Sequence, residues 1–449
     1  MTELLVRGAR LADRDGPHDI SADRGRIVRV APANTDGDGG GAETVIEASG
    51  ALVSPPYVEP HVHLDAALTA GQPRWNGSGT LWEGIEVWGE RRAELGRADV
   101  LARAEEVLRW YAARGVLHVR SHVDVTDPGL TALDALLELR DRVRDVVGLQ
   151  VVAFPQEGIR SGPAGAATRG RDLLAEAARR GADAVGAIPH FEDTREDGVA
   201  SLEDAVALAE RHDLMVDVHC DEIDDEQSRF AEVLAALARR TGLGGRVTAS
   251  HTTAMGSYNG AYGYKLRRII ARSGMNLVCN PLTNLALQGR FDGYPKRRGL
   301  TQVAEMLDAG VNVAFGHDDV MDPWFPLGAA DPLQIALTGI AAAQLTGQAQ
   351  IAAAYDMITV RAARVLGLGD GYGIAEGRPA DLLVLPAADP LDVIRRQPRP
   401  LWVVARGKIV ASTPYAPTDL GWPGGGGPVD FVRPADAPSA TWRAARVRP

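Results

Sequence analysis

Eight strand-like runs that alternate with helical runs are the feature that most constrains the fold of this chain. Each run is a short stretch of apolar β-formers that ends in polar residues, and helical segments such as SLEDAVALAERH and SRFAEVLAALARRT lie between them. The runs are ALVSPPYVEPHVHLD, GVLHVRSHVD, LQVVAFPQEG, ADAVGAIPHFE, LMVDVHCDE, RVTASHTT, MNLVCNP and VNVAFGHDD. This alternation predicts the α/β class and a (β/α)₈ TIM-type barrel. A doubly wound sheet is the competing fold, but it would place a Gly-rich phosphate turn where this chain has HVHLD.

Short β-rich segments at both ends predict a second, smaller domain. LLVRGARLAD, GRIVRVAP and TVIEASGALVSP lie near the N-terminus, and PADLLVLPA, PLWVVARG and KIVAS lie near the C-terminus. We predict that residues 1–55 and 371–449 form a β-sandwich that flanks the barrel of residues 56–370. The Pro- and Arg-rich tail PVDFVRPADAPSATWRAARVRP is interpreted as packed on a neighbouring subunit or as a loose end.

Charge and composition restrict the partners. The net charge of −11 gives the chain no general attraction for nucleic acid or anionic lipid, so we expect a small-molecule substrate. No run of about 18 apolar residues suggests a membrane span, and the charged N-terminus is unlike a signal peptide. Cys220 and Cys279 are the only cysteines, which is typical of a reduced, cytoplasmic protein.

Polar residues gather where the runs end, which is where a barrel places its active site. These residues are His61, His63, His122, Asp124, Gln156, His190, His219, Glu222, His251, Asn280, His317, Asp318 and Asp319. Most of the ten histidines of the chain are among them. Taken singly, His122 or His190 is more typical of a hydrogen-bonded structural residue than of a metal ligand.

The HVH motif indicates a metal site more specifically than any single histidine does. His61 and His63 are two residues apart on a strand, so their imidazoles point the same way. His219 at the end of the fifth run would add a third nitrogen, and Asp318 at the end of the eighth would add an oxygen. Such a set suits Zn²⁺ or Fe²⁺ with one position left for water. The first lysine is Lys265, so no lysine on strand four can bridge two metals, and we predict one metal per chain.

Glu222 follows His219 within VDVHCDEIDDEQSRF and is a candidate proton shuttle. A carboxylate beside an activated water can accept a proton and return it elsewhere. Asp224, Asp225 and Glu226 are interpreted instead as a solvated helix start, where acidic side chains are favourable.

Longer motifs make the chain similar to the bacterial cytosine deaminases of the amidohydrolase superfamily. They are EPHVHLD, VAFPQEG, GAIPHFE, DVHCDEIDDEQSRF, ASHTTAMGSYNGAY, NPLTNLALQGRFDGYPKRRG and FGHDDVMDPWFPLG. The resemblance implies a mononuclear barrel with a flanking β-sandwich, one Fe²⁺ or Zn²⁺ per chain, and a homo-oligomer, hexamer or smaller.

The resemblance also implies a role for each matching residue. The implied metal ligands are His61, His63, His219 and Asp318. The implied catalytic residues are Glu222 as the proton shuttle, His251 as the residue that orients the hydroxide, and Asp318, which also helps to deprotonate the water. The implied substrate contacts are Gln156, Asp319 and Trp324.

The implied reaction is hydrolytic deamination of cytosine to uracil and ammonia, by attack of a metal-bound hydroxide on C4. Gln156 suits this substrate, because a primary amide offers the donor and acceptor that match a pyrimidine amide edge. The chain departs from the family pattern at Trp82, Gly256, Ala286 and Met321, and two of these, Trp82 and Met321, lie in motifs near the expected pocket. Retention of Asp319 favours cytosine over 5-methylcytosine.

Alternative functions stay open at this point. One is deamination of isoguanine or another amino-substituted ring. Another is a cyclic amidase or triazine amidohydrolase on the same scaffold, which would be expected to differ at Gln156, Asp319 and Trp324. A non-catalytic barrel would be expected to lose a metal ligand or the proton shuttle, and all are present.

Overall fold

The computed structural model describes residues 2–33, 41–161, 165–432 and 440–448. Two compact units are present: unit 1 comprises Met1–Tyr57, Tyr111–Leu117 and Gly369–Pro449, and unit 2 comprises Val58–Trp110 and His118–Leu368. The domain limits drawn from the sequence stay predictions, because compactness alone does not show that a segment folds independently. Residues 433–439 of the C-terminal tail lie outside the described residues.

Strands and helices alternate along most of the chain. The strands are β1 Leu4–Arg10, β2 Pro17–Asp23, β3 Arg26–Pro32, β4 Thr44–Glu47, β5 Leu52–Ser54, β6 Tyr57–Val62, β7 Val116–Asp124, β8 Gly148–Phe154, β9 Ala184–Val185, β10 Met215–Cys220, β11 Val247–His251, β12 Asn276–Cys279, β13 Asn312–Phe315, β14 Leu382–Leu385, β15 Trp402–Ala405, β16 Lys408–Ser412, β17 Thr418–Leu420, β18 Gly427–Val429 and β19 Arg446–Arg448. The helices are α1 Leu81–Arg92, α2 Arg97–Ala113, α3 Thr131–Val143, α4 Ala166–Arg180, α5 Arg195–His212, α6 Phe230–Thr241, α7 Gly260–Ser273, α8 Pro281–Leu287, α9 Val303–Asp308, α10 Pro332–Ala342, α11 Gln348–Met357, α12 Val360–Val365 and α13 Pro390–Arg396. In the described part of the chain, every helix is too short or too polar to cross a bilayer.

Strands β6 to β13 form the barrel. They are neighbours in sequence order in one eight-stranded parallel sheet, with helices between consecutive strands. Val62 in β6 makes a parallel bridge to Asp318 just after β13, which nearly closes the sheet. The eight predicted runs correspond one to one with these strands, so the predicted (β/α)₈ class is confirmed.

Strand β9 is shorter than the run ADAVGAIPHFE suggested. Gly186 follows it at a close approach of backbones, where a Cβ would lie 3.1 Å from the carbonyl oxygens of Ala153 and Asp217. Pro189 then has no N–H to donate to a neighbouring strand. The chain therefore leaves the sheet early, and His190 lies in the loop rather than on the strand.

Strands from both ends of the chain form a nine-stranded sheet in unit 1, as the sequence predicted. Its order is β16-β15-β14-β5-β1-β2-β3, with β4 beside β1 and β19 beside β4. Ile20, Ile46, Leu382 and Trp442 are buried together in its core. The interpretation of the tail as a loose end is wrong for residues 440–448, because Trp442 packs on this sheet and β19 pairs with β4.

The barrel interior contains a buried ion pair. Nη1 of Arg120 on β7 donates to Oδ2 of Asp217 on β10 over 2.8 Å, and both side chains are fully buried. Nη2 of Arg120 donates to Gln150 Oε1 and to the carbonyl oxygen of Val365. A charge in such surroundings is tolerated only while its partners remain.

Replacement of Arg120 by Met should cost about 3–5 kcal/mol of unfolding free energy, since it leaves the Asp217 carboxylate buried without its cation. Urea denaturation of purified protein measures this loss. The matched control is Arg97→Met, which breaks an exposed pair with Glu138 and should cost less than about 1 kcal/mol. Equal losses in the two variants would contradict the structural role of the buried pair.

Candidate active site

Four side chains converge at the carboxyl ends of the barrel strands. His61 lies in β6, His63 follows its end, His219 lies in β10, and Asp318 follows β13. The Nε2 atoms of His63 and His219 are 3.0 Å apart. Oδ1 of Asp318 lies 3.1 Å from Nε2 of His61 and 3.5 Å from Nε2 of His63. All four residues are buried.

This cluster fits a divalent metal ion. Its candidate ligand atoms all lie within 4.8 Å of one another, a separation consistent with ligands about 2.0–2.2 Å from one ion. Nδ1 of His61 contacts Ser250 Oγ at 2.9 Å, which leaves its Nε2, 3.1 Å from Asp318 Oδ1, to face the cluster. Burial lowers the pKa of His219 well below its usual value, and the nearby His61 adds to the effect. Burial therefore favours the neutral imidazole, which is the form that binds metal.

A hydrogen-bonded chain beneath the cluster holds His61 in place. Ser250 Oγ, which contacts the His61 ring, donates to Oδ1 of Asp217 over 2.8 Å, and Asp217 is the partner of Arg120. Partners of this kind fix the orientation of a ligating imidazole. The sequence analysis missed this chain. Its signal was present, because Asp217 lies two residues before His219 and therefore on the same face of the strand, one layer deeper.

His122 and His190 have different surroundings. The ring centroid of His122 lies 4.0 Å from that of His61, and its Nε2 lies 3.7 Å from Oδ1 of Asp217. His190 instead lines a separate cavity of about 1000 Å³, together with residues such as Glu192 and Phe230. His122 therefore supports the four-residue cluster through direct contact with the ring of His61.

Glu222, His251 and Asp318 form a second group beside the first. Nδ1 of His251 lies 3.2 Å from Glu222 Oε1 and 3.8 Å from Asp318 Oδ2. The side-chain amide of Asn284 lies 3.1 Å from the same nitrogen. His251 thus lies between the two carboxyl groups, and all three residues are buried.

The two carboxyl groups have pKa values shifted in opposite directions. Burial, together with the negative charge of Asp318, raises the pKa of Glu222 well above its usual value. Burial alone would also raise the pKa of Asp318, but His251 and the contacts with His61 outweigh it and hold that pKa below its usual range. Such a pair provides a carboxyl group that holds its proton more strongly than an ordinary glutamate and a carboxylate that stays ionised, which suits acid–base catalysis.

Asp221 explains part of the acidic run after β10. Its φ of 54° turns the chain, and its carboxylate accepts hydrogen bonds from Ser228 Oγ and from the backbone N–H groups of Phe230 and Ala231. These are the first N–H groups of α6. Asp221 therefore caps the helix from a distance, and it frees Glu222 to face the site.

The predicted helix start at residues 224–226 is wrong, because α6 begins only at Phe230. Asp225 and Glu226 are exposed in a loop. Asp224 is partly buried and accepts a hydrogen bond from the Gly289 N–H over 2.6 Å. It links this loop to the segment after α8, a contact that no local pattern in the sequence indicates.

A small cavity of about 250 Å³ adjoins both groups. Its lining residues are His63, Leu81, Gln156, His219, Glu222, Leu287, Asp318, Asp319 and Trp324. The three predicted substrate contacts are thus brought together, whereas Leu81 and Leu287 were missed. Trp82 and Met321, at which the chain departs from the family pattern, are not among the lining residues.

A three-histidine, one-carboxylate cluster at the carboxyl ends of barrel strands, with a carboxylic acid beside it, is typical of barrel hydrolases that use a divalent metal. The model of the family described as the amidohydrolase family matches residues 44–411. The chain therefore belongs to the amidohydrolase family, as the resemblance predicted, and it is a hydrolytic enzyme of the amidohydrolase and deaminase type.

Individual relatives cover nearly the whole chain. The crystal structure of 5-methylcytosine deaminase from Klebsiella pneumoniae liganded with 5-fluorocytosine is 46% identical, covers 94% of this chain and 100% of its own, and has a TM-score of 0.89. N-isopropylammelide isopropyl amidohydrolase of Pseudomonas sp. (strain ADP) is 29% identical, covering 91% of this chain and 97% of its own. Pterin deaminase of Rhizobium rhizogenes (strain K84 / ATCC BAA-868) is 28% identical, covering 80% of each.

Substitution of His61 or Asp318 by Ala should reduce bound metal to well below one equivalent, because each removes a ligand atom from the cluster. Elemental analysis of the purified variants measures this. His212→Ala is the matched control, since His212 lies at the end of α5 outside the cluster. Full metal occupancy in either ligand variant would exclude that residue from the metal site.

Proposed function

We propose that this enzyme catalyses the hydrolytic deamination of cytosine to uracil and ammonia, as a pyrimidine-salvage enzyme with one Fe²⁺ or Zn²⁺ per chain. The observation that carries the proposal is the single small cavity that joins the cluster of histidines and Asp318 to Glu222, Gln156 and Trp324. The 46% identity to an enzyme named 5-methylcytosine deaminase supports an aminopyrimidine as the substrate.

His61, His63, His219 and Asp318 would hold the metal ion, and metal chemistry at this cluster would be the activation of one water molecule as a nucleophile at neutral pH. Asp318 has the low pKa of a carboxylate that stays ionised, so it can accept a proton from the attacking water. His251 lies within 3.8 Å of Asp318 and can orient the same water.

Glu222 would supply the proton that the ring needs. Its raised pKa makes the carboxyl group hold a proton more strongly than an ordinary glutamate does, and in the protonated form it can donate to the ring nitrogen next to C4 as the water oxygen bonds to that carbon. Of the two protons of the water, one passes to the exocyclic amine, which departs as ammonia, and the other returns to Glu222 as the C4–O bond becomes a carbonyl group. The products are uracil and ammonia, and one water is consumed.

Gln156 would select the ring. Its backbone N–H contacts Oδ1 of Asp124 at 3.4 Å, and its side chain lines the cavity. A primary amide pairs with the adjacent acceptor and donor of a pyrimidine amide edge. A substrate without this edge leaves a buried amide unpaired, which is strongly disfavoured. Asp319 and Trp324 would form the adjoining wall.

Ammonia release from a panel of compounds tests the substrate. The panel contains cytosine, 5-methylcytosine, isoguanine, creatinine, a cyclic imide, a pterin and N-isopropylammelide, with isopropylamine release measured for the last. Fast release from cytosine by protein of known metal content is the expected result. Inactivity toward cytosine with turnover of isoguanine or N-isopropylammelide would replace the proposal by the corresponding alternative, which the 29% identical relative also supports.

Glu222→Gln should lower kcat/KM for cytosine by about 10²–10⁴-fold, because the amide cannot donate a carboxylic proton or take it back. Bound metal should be unchanged, since Glu222 is outside the four-residue cluster. Glu226→Gln is the control in the same loop, where the side chain is exposed. Activity of the Glu222 variant within about tenfold of wild type would remove Glu222 as the shuttle.

A cytoplasmic location and a homo-oligomer of six or fewer subunits are part of the same proposal. Multi-angle light scattering of the purified holoenzyme measures the subunit number.

A further inference from the structure

Trp324 is held from two sides by residues that do not line the cavity. Its ring packs with Ala66, Ile85, Trp88 and Leu287 and borders the cavity. On one side lies Gly84 of α1, where a Cβ would stand 2.3 Å from Cδ1 of Trp324. Any side chain at Gly84 would therefore displace the indole ring, because real Cβ contacts are never this short.

Asp322 holds the other side. Its Oδ1 accepts hydrogen bonds from the backbone N–H groups of Trp324 and Phe325, both over 3.0 Å. Asp322 is fully buried, and its carboxyl group acts electrostatically on Asp319, the neighbouring residue of the cavity wall. One side chain thus holds the backbone at Trp324 and acts on Asp319, the two residues that the loop after β13 contributes to the cavity.

We infer that Gly84 and Asp322 are positioning residues that set which ring the cavity accepts, by fixing Trp324 and Asp319 relative to the metal cluster. The inference rests on the proposed function for the identity of the rings. The cavity is small, so a shift of its wall by a fraction of an ångström changes the space beside a planar substrate. One methyl group in such a site changes kcat/KM by about 10–200-fold.

The first test uses Gly84→Ala in the metal-loaded enzyme, with Gly89→Ala as the control in the same helix. The nearest atom to a Cβ at Gly89 is a side-chain oxygen 3.5 Å away, which is ordinary contact. In the Gly84 variant we expect the ratio of kcat/KM for cytosine to that for 5-methylcytosine to change by at least about tenfold. We expect the change mainly in KM, with full metal content and kcat within about threefold, because Glu222 and the metal cluster are untouched.

The second test uses Asp322→Ala and Asp322→Asn. The Ala variant removes both the acceptor of the two N–H groups and the polar group that acts on Asp319, and should change the same ratio by at least about tenfold. The Asn variant keeps an acceptor for the two N–H groups and a polar partner for Asp319, and should restore the ratio to within about threefold of wild type. Asp331→Ala, which removes the cap of α10, should leave the ratio unchanged. A ratio within about twofold of wild type in both Gly84→Ala and Asp322→Ala, at full metal content, would overturn the inference.

A crystal structure of the Gly84→Ala holoenzyme separates failure of this inference from failure of the proposed function. Absence of pyrimidine turnover in the wild type would disprove the proposed function alone. In that case, displacement of the Trp324 ring by more than about 0.5 Å still supports the positioning role, since sites must be held within this tolerance. An unmoved ring would overturn it whatever the substrate.

Discussion

The buried negative charge of Asp318 is the interaction on which the rest of the site depends. Its carboxylate lies within 3.5 Å of two imidazole nitrogens, those of His61 and His63. Burial raises the pKa of Glu222 across the cavity, and the negative charge of Asp318 adds to this effect. A carboxylate buried this deeply is stable only if cations or donors surround it. The charge of Asp318 therefore contributes both to the four-residue cluster and to the acid–base pair.

Residues deeper in the barrel hold the ligand cluster around Asp318 in place. Arg120 and Asp217 are paired deep in the interior. Asp217 accepts a hydrogen bond from Ser250, whose hydroxyl group contacts His61 and fixes the orientation of its ring. These residues lie on strands rather than on loops, so the ligands inherit the rigidity of the parallel sheet. Residues that border the cavity come from different elements, among them α1, α8 and the loops after β8 and β13. The residues that support the cluster thus lie on strands, whereas much of the cavity wall lies on elements that can vary independently.

That division agrees with the relatives. The names of these relatives refer to three different rings, a pyrimidine, an alkylated ammelide and a pterin, although each relative is similar to this chain over most of its length. Membership of the amidohydrolase family therefore defines the type of reaction, whereas the choice of substrate ring depends on the residues of the cavity wall. In this chain that wall is formed by Leu81, Gln156, Leu287, Asp319 and Trp324.

The sequence by itself determined the barrel and the members of the metal cluster. Alternating strand and helix periods predict the fold, and His61, His63, His219 and Asp318 are identifiable because each ends a strand and strand ends meet at one face. Glu222 was predicted to be the proton shuttle because it follows His219 closely in the sequence. Only the tertiary structure showed that Asp221 caps α6, that Trp442 packs on the terminal sheet, and that Gly84 and Asp322 enclose Trp324. The last two arrangements join residues on elements far apart in the chain. No periodicity relates such residues, because their contact is decided by how whole elements pack.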